Sequence, residues 1–154
     1  MKMVIQRVSR AEVRVDGAAV GRLGTGLMVL VGLEKGDGET QLHKAAKRLA
    51  TLRVFCDDEG KMNRGLHEVG GAVLAVSQFT LAGSIHKGRR PSFDHAMPGH
   101  EAEAFFRNFV EILRGLDVEV ETGVFGAMMD VDLINDGPVT LIWEDPPQKN
   151  SYEA

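Results

Sequence analysis

Two short stretches of this chain combine residue types that can do chemistry. The first, Ser77-Gln78-Phe79-Thr80-Leu81, follows Gly70-Gly71 and the apolar run Ala72 to Val76. A run that short, set off by glycines, predicts a core strand whose end turns abruptly polar. Backbone N–H groups around Gln78, Phe79 and Thr80, with Ser77 beside them, can hold a carbonyl oxygen that becomes negative in a tetrahedral intermediate. Such an oxyanion site needs no acidic or basic side chain, so its substrate must be intrinsically reactive, as an activated ester is. A strand that simply exits to solvent has the same pattern. The second stretch, Asn135-Asp136-Gly137-Pro138-Val139-Thr140, puts a proline inside what otherwise reads as a strand. Proline lacks the ladder N–H and belongs at an edge, a bulge or a turn, and X-Pro is the common setting for a cis peptide. A cis bond would turn the Gly137 and Pro138 carbonyls to one side; an ordinary turn fits equally well.

The usual catalytic constellations are missing. Ser77 lies between Val76 and Gln78 and not in a Gly-x-Ser-x-Gly elbow. Cys56 precedes Asp57 and Asp58, poor neighbours for a nucleophilic thiolate, and reads as structural. His43, His67, His86, His95 and His100 lack the His-x-x-x-His spacing of a zinc helix, so no metal is expected. The glycines from Gly24 to Gly38 match neither the dinucleotide nor the Walker pattern, so no nucleotide cofactor is expected either.

The elements that must position these stretches read as an α+β arrangement. Val4 to Val15 predicts a first strand, continuous or broken near Ser9, Asp16-Gly17 a hairpin turn, Leu27 to Leu33 a strand buried on both faces, and Val54-Phe55 the start of a short strand. Glu39 to Leu52 and Gly99 to Gly115 carry helical apolar stripes, the second rich in phenylalanine. Ala82 to Phe93 is a loop, Val118 to Glu121 a short strand, and Met129 to Trp143 the closing strands. The order predicts mostly antiparallel β-sheets in a barrel-like, β/β/α layered domain with two main helices, spanning residues 1–145, and a polar tail at 146–154.

With 154 residues, one cysteine and no apolar run near the ~20 residues of a membrane span, the chain reads as one cytosolic domain without disulfide or membrane anchor. A net charge of -4 gives no general attraction to nucleic acid, yet Lys87, Arg89 and Arg90 form a local basic strip, either a solvated loop or a phosphate contact.

The two chemical stretches resemble the signature motifs of the D-aminoacyl-tRNA deacylases of the bacterial and eukaryotic type. The similarity extends through Ile5-Gln6-Arg7-Val8, Gly60-Lys61-Met62-Asn63 and Arg90-Pro91-Ser92-Phe93, and so from about Met1 to Trp143. It implies a homodimeric hydrolase that cleaves the ester between a D-amino acid, or glycine, and the 3′-terminal adenosine of tRNA. It further implies a cis Gly137-Pro138 inserted in the neighbouring subunit's pocket, where it meets the α-amino group and excludes L side chains. Arg7 would help hold that motif, and Gln78, Phe79 and Thr80 would line the reaction centre. On the favoured picture the adenosine 2′-hydroxyl assists water while the Phe79 N–H holds the oxyanion; Thr80 as nucleophile is the alternative. Ala82 to His86 departs from the family pattern, and no role is carried onto it. Competing readings are a related editing deacylase with relaxed chirality and a noncatalytic RNA-binding module; the acidic balance weighs against the latter.

Overall fold

The computed structural model describes residues 1–147, so positions 148–154 of the expected tail lie outside the described residues. Its framework is β1 (Lys2–Val15), a continuous strand that turns at Asp16-Gly17 into β2 (Ala18–Leu23). Both turn residues have positive φ, 50° and 80°, the twist that lets two adjacent strands pair. β3 (Gly26–Gly32) carries on in the same register, since Ala11 pairs with Leu23 and Val8 with Gly26. β2 and β3 therefore form one long returning arm.

β6 (Ala72–Ser77) runs parallel to β3, and β7 (Val120–Thr122) parallel to β6. β7 in turn lies against β2, so the sheet nearly closes into a barrel. β8 (Asp130–Glu144) pairs antiparallel with β1 over most of its length. The continuous apolar runs are explained by this layering. In β3 and β6, Leu27, Val29, Val31, Val73 and Ala75 face the helices, while Met28, Leu74 and Val76 join Val8, Ala11 and Val13 in a second cluster. A strand covered on both sides has no polar face to alternate.

Helices α1 (Glu39–Thr51) and α3 (Gly99–Gly115) pack against each other on one side of the sheet. Leu42, Ala45, Ala46 and Leu49 of α1 and Phe106, Phe109, Val110 and Leu113 of α3 are buried there. Each fully buried large side chain contributes about 1.5–3 kcal/mol, so these stripes fix the helices to the sheet. Between α1 and β6 lie a two-stranded hairpin, β4 (Phe55–Cys56) and β5 (Met62–Arg64), and the four-residue α2 (Leu66–Val69). The barrel-like α+β architecture with two long helices matches the sequence reading, with α2 and β5 as additions. No helix among the described residues is long and apolar enough to cross a membrane.

Candidate active site

The end of β6 is shaped by where its pairing stops. Val31 pairs with Ser77, and the Gln78 N–H still donates to the Val31 carbonyl at 2.8 Å. Beyond that bond the chain folds into a 3-10 turn, Phe79–Ala82, in which Leu81 N–H donates back to the Gln78 carbonyl at 3.2 Å. The first residues of such a turn have no preceding carbonyl to serve them. Accordingly, the N–H groups of Phe79 and Thr80 have no acceptor among the described residues. Gly32 makes the turn possible by close approach: a Cβ there would lie 2.7 Å from Leu81 Cβ and 3.1 Å from the Gln78 carbonyl oxygen.

Side chains stiffen the turn. Gln78 Nε2 donates to Thr80 Oγ1. The Phe79 ring, 55% exposed, meets Phe93 edge-on with centroids 5.1 Å apart. Such a pair is worth about 0.5–1.5 kcal/mol and ties the following loop to the turn. Ser77, Gln78, Phe79 and Thr80 all line one cavity of about 650 Å³, whose other walls include Leu33, Met97, Phe125 and Met129. Backbone donors on residues that line a largely apolar cleft suit a carbonyl that gains negative charge, because apolar walls strengthen the interaction.

The second stretch stands elsewhere in the chain. Gln6 pairs with Thr140 and Val8 with Asn135, so residues 136–139 of β8 loop out opposite Arg7 alone. The Gly137-Pro138 peptide is cis, as the resemblance implies. Asn135 closes the base of the excursion: its Oδ1 accepts the Val139 N–H at 2.9 Å, and its Nδ2 donates to the Val139 carbonyl at 3.2 Å. Arg7 is buried and braces the other side. Its Nε donates to the Asp136 carbonyl at 3.0 Å and its Nη1 to the Val54 carbonyl at 2.6 Å.

The brace has its own support. Nη1 also lies 3.8 Å from Cys56 Sγ, at the start of the β4–β5 hairpin. The turn of that hairpin is clamped by Asp57, which accepts N–H groups from Glu59 and Lys61 at 2.9 Å and Asn63 Nδ2 at 2.8 Å. The Asn63 hydrogen bond, followed by that of the Lys61 N–H, holds the Asp57 carboxyl below the usual carboxylate range. Asn135, Asp57 and Asn63 thus support the excursion and its brace; Asn135 and Asn63 stand in runs that carry the resemblance, whereas Asp57 is marked in the sequence only as an acidic neighbour of Cys56.

Within one chain the two stretches are not brought together. Gly137 and Pro138 are exposed and do not line the cavity that holds Ser77 to Thr80. No group of three or more His, Cys, Asp or Glu is assembled to hold a metal among the described residues.

A family model described as D-Tyr-tRNA(Tyr) deacylase matches residues 4–144. The chain is 52% identical to a D-aminoacyl-tRNA deacylase of Geobacter sulfurreducens over 151 residues, covering 98% of this chain and 99% of that one. It is 56% identical to a D-aminoacyl-tRNA deacylase of Stenotrophomonas maltophilia over 143 residues, 92% of this chain and 98% of that one. Among solved structures it resembles a c-Myc DNA unwinding element binding protein, with TM-score 0.88 and 40% identity over 95% and 99% of the two chains. A probable eukaryotic D-amino acid tRNA deacylase shares the fold, with TM-score 0.78 at 20% identity over 92% and 97%.

Proposed function

The chain belongs to the D-Tyr-tRNA(Tyr) deacylase family and is a D-aminoacyl-tRNA deacylase, and from that premise we propose that the turn at Gln78-Phe79-Thr80 is its reaction centre. The observation that carries this is the pair of unpartnered N–H groups on Phe79 and Thr80, two residues that line the cavity of about 650 Å³. The ester carbonyl of the aminoacyl group sits against the Phe79 N–H. Water adds to the carbonyl carbon, assisted by the 2′-hydroxyl of the terminal adenosine. The C–O bond to the ribose then breaks, releasing a free amino acid and tRNA with its 3′-hydroxyl restored. Stabilising the oxyanion from backbone alone suffices because the ester is activated.

Handedness is read by exclusion. Two copies of the chain associate, and Gly137-Pro138 of each enters the other's cavity, where its carbonyls meet the α-amino group. An L side chain then collides with the excursion, whereas a D side chain or the bare hydrogen of glycine does not, so glycyl-tRNA is also a substrate. The exposure of Gly137 and Pro138, their bracing by Arg7 and Asn135, and the exposed apolar residues Ile134, Leu141 and Ile142 on the same strand support this reading. The reaction belongs where tRNA is charged, in the cytosol.

The test is deacylation of D-Tyr-tRNA, L-Tyr-tRNA and Gly-tRNA by the purified protein. D-Tyr-tRNA and Gly-tRNA should be cleaved and L-Tyr-tRNA spared; equal cleavage of both Tyr-tRNA forms would remove the exclusion mechanism. Thr80→Ala should lower the rate roughly tenfold or more by loosening the turn. Trapping an acyl group on Thr80 would replace the backbone mechanism with a nucleophilic one.

A further inference from the structure

The cavity accounts for the end of the substrate but not for the nucleic acid attached to it. Most arginines of this acidic protein are already neutralised: Arg10, Arg14, Arg22, Arg64, Arg107 and Arg114 each stand within 3.4 Å of a carboxylate oxygen. Lys35, Lys47, Arg48 and Arg53 are exposed and unpaired among the described residues as well, but Lys87, Arg89 and Arg90 differ in standing together. All three are exposed, on one loop, with no carboxylate partner among the described residues. The sequence keeps acids away from them, since no Asp or Glu stands between Glu68 and Asp94.

The loop is held in a defined place. Ser84 and Ser92 exchange both backbone hydrogen bonds, at 2.8 and 2.9 Å, closing residues 85–91 into a cap with Gly88 in a left-handed conformation, φ 73°. On one side of that clasp the chain comes directly from the 3-10 turn. On the other, Phe93 packs on Phe79. The cations are therefore tethered beside the mouth of the reaction cavity from both ends.

We propose that Lys87, Arg89 and Arg90 bind phosphodiesters of the substrate's 3′ strand, holding the tRNA while the turn acts on its ester. This rests on the deacylase reading and adds the contact that reading lacks. A phosphate beside an exposed guanidinium displaces only counterions, so the contact is sequence-independent and screened by salt. It belongs to binding and not to bond breaking, because none of the three residues lines the cavity.

The test compares wild type with Lys87→Ala/Arg89→Ala/Arg90→Ala, and uses Lys47→Ala/Arg48→Ala on α1 as a control for loss of positive charge. Substrates are D-Tyr-tRNA and the phosphate-free D-tyrosyl ester of adenosine; binding of an uncharged tRNA acceptor-stem microhelix is followed by fluorescence anisotropy across a salt series. The loop variant should raise KM for D-Tyr-tRNA about tenfold with kcat held. It should also flatten the log–log salt slope of microhelix binding by about two, as expected for three lost contacts to a single strand. Cleavage of the adenosine ester should be unchanged, as should every property of the control. An unaltered salt slope, an equal loss on both substrates, or an equal loss in the control would overturn the proposal. A wild type that binds the microhelix with the loop-dependent slope yet cleaves neither ester would instead sink the deacylase reading and leave the phosphate contact standing.

Discussion

Arg7 and Gly137 show how much one pair of residues can fix. Gly137 has φ 122°, a conformation that L side chains rarely adopt, and a Cβ there would run into Arg7 Nη2. An exposed arginine would swing away at little cost. This one is buried and bonded to Asp136 on one side and Val54 on the other, so it cannot yield without breaking charge-assisted bonds worth about 1.5–3 kcal/mol each. Gly137→Ala should therefore cost about 1–3 kcal/mol in urea unfolding and abolish most deacylation, while leaving far-UV circular dichroism unchanged. Full activity in that variant would show that the excursion tolerates displacement and does not measure the substrate.

Elements carry the same logic over a longer reach. The 3-10 turn rests on the end of β3, where Gly32 leaves room for Leu81 and the Gln78 carbonyl. Gly32→Ala should push the turn outward, lowering kcat by roughly tenfold or more with a stability loss of about 1–3 kcal/mol; an unchanged kcat would mean that the turn's position is set from elsewhere. The strands β1, β3 and β6 and both long helices were legible in the sequence because burial writes itself as periodicity or as a continuous apolar run. β8 was harder. Its pairing with β1 resumes in a shifted register beyond residues 136–139, so one strand looks in sequence like two segments separated by a turn. α2 and β5 are too short to show a period. The site was legible as two motifs with Arg7 as a support, but what Arg7 grips was not, since its bonds to the Asp136 and Val54 carbonyls close only when distant segments meet. Asp57 and Asn135 act through local turn bonds that several polar residues could make.

At the scale of the whole molecule, the layers are joined at the amino terminus. The Met1 amine lies 2.7 Å from Asp37 Oδ1 and 3.0 Å from Glu34 Oε2, and Met1 and Asp37 are both buried. Burial pushes the Asp37 carboxyl above its usual range, against the opposing pull of its hydrogen bond to the amine. A carboxyl raised in the folded state contributes stability that is fully present below the unfolded value of about 3.9 and is lost as pH rises through the folded value. Asp37→Asn should thus cost about 2–3 kcal/mol at pH 7, since it leaves the amine short of a partner, and the margin should widen as pH falls toward 4. Parallel urea titrations of the two proteins across that range provide the check; a margin that narrows toward acid would contradict it.

The excursion at 136–139 lies outside the cavity of its own chain, and on the proposed assembly this separates inheritance from use. A subunit with a ruined excursion spoils its neighbour's work and keeps its own workshop intact. Two dead proteins, Gly137→Ala and a variant with a collapsed turn such as Gly32→Trp, should then rescue each other when refolded together. Each mixed pair holds one site with both faults and one with none. Random pairing returns roughly a quarter of the wild-type sites, whereas a site built within one chain would return nothing.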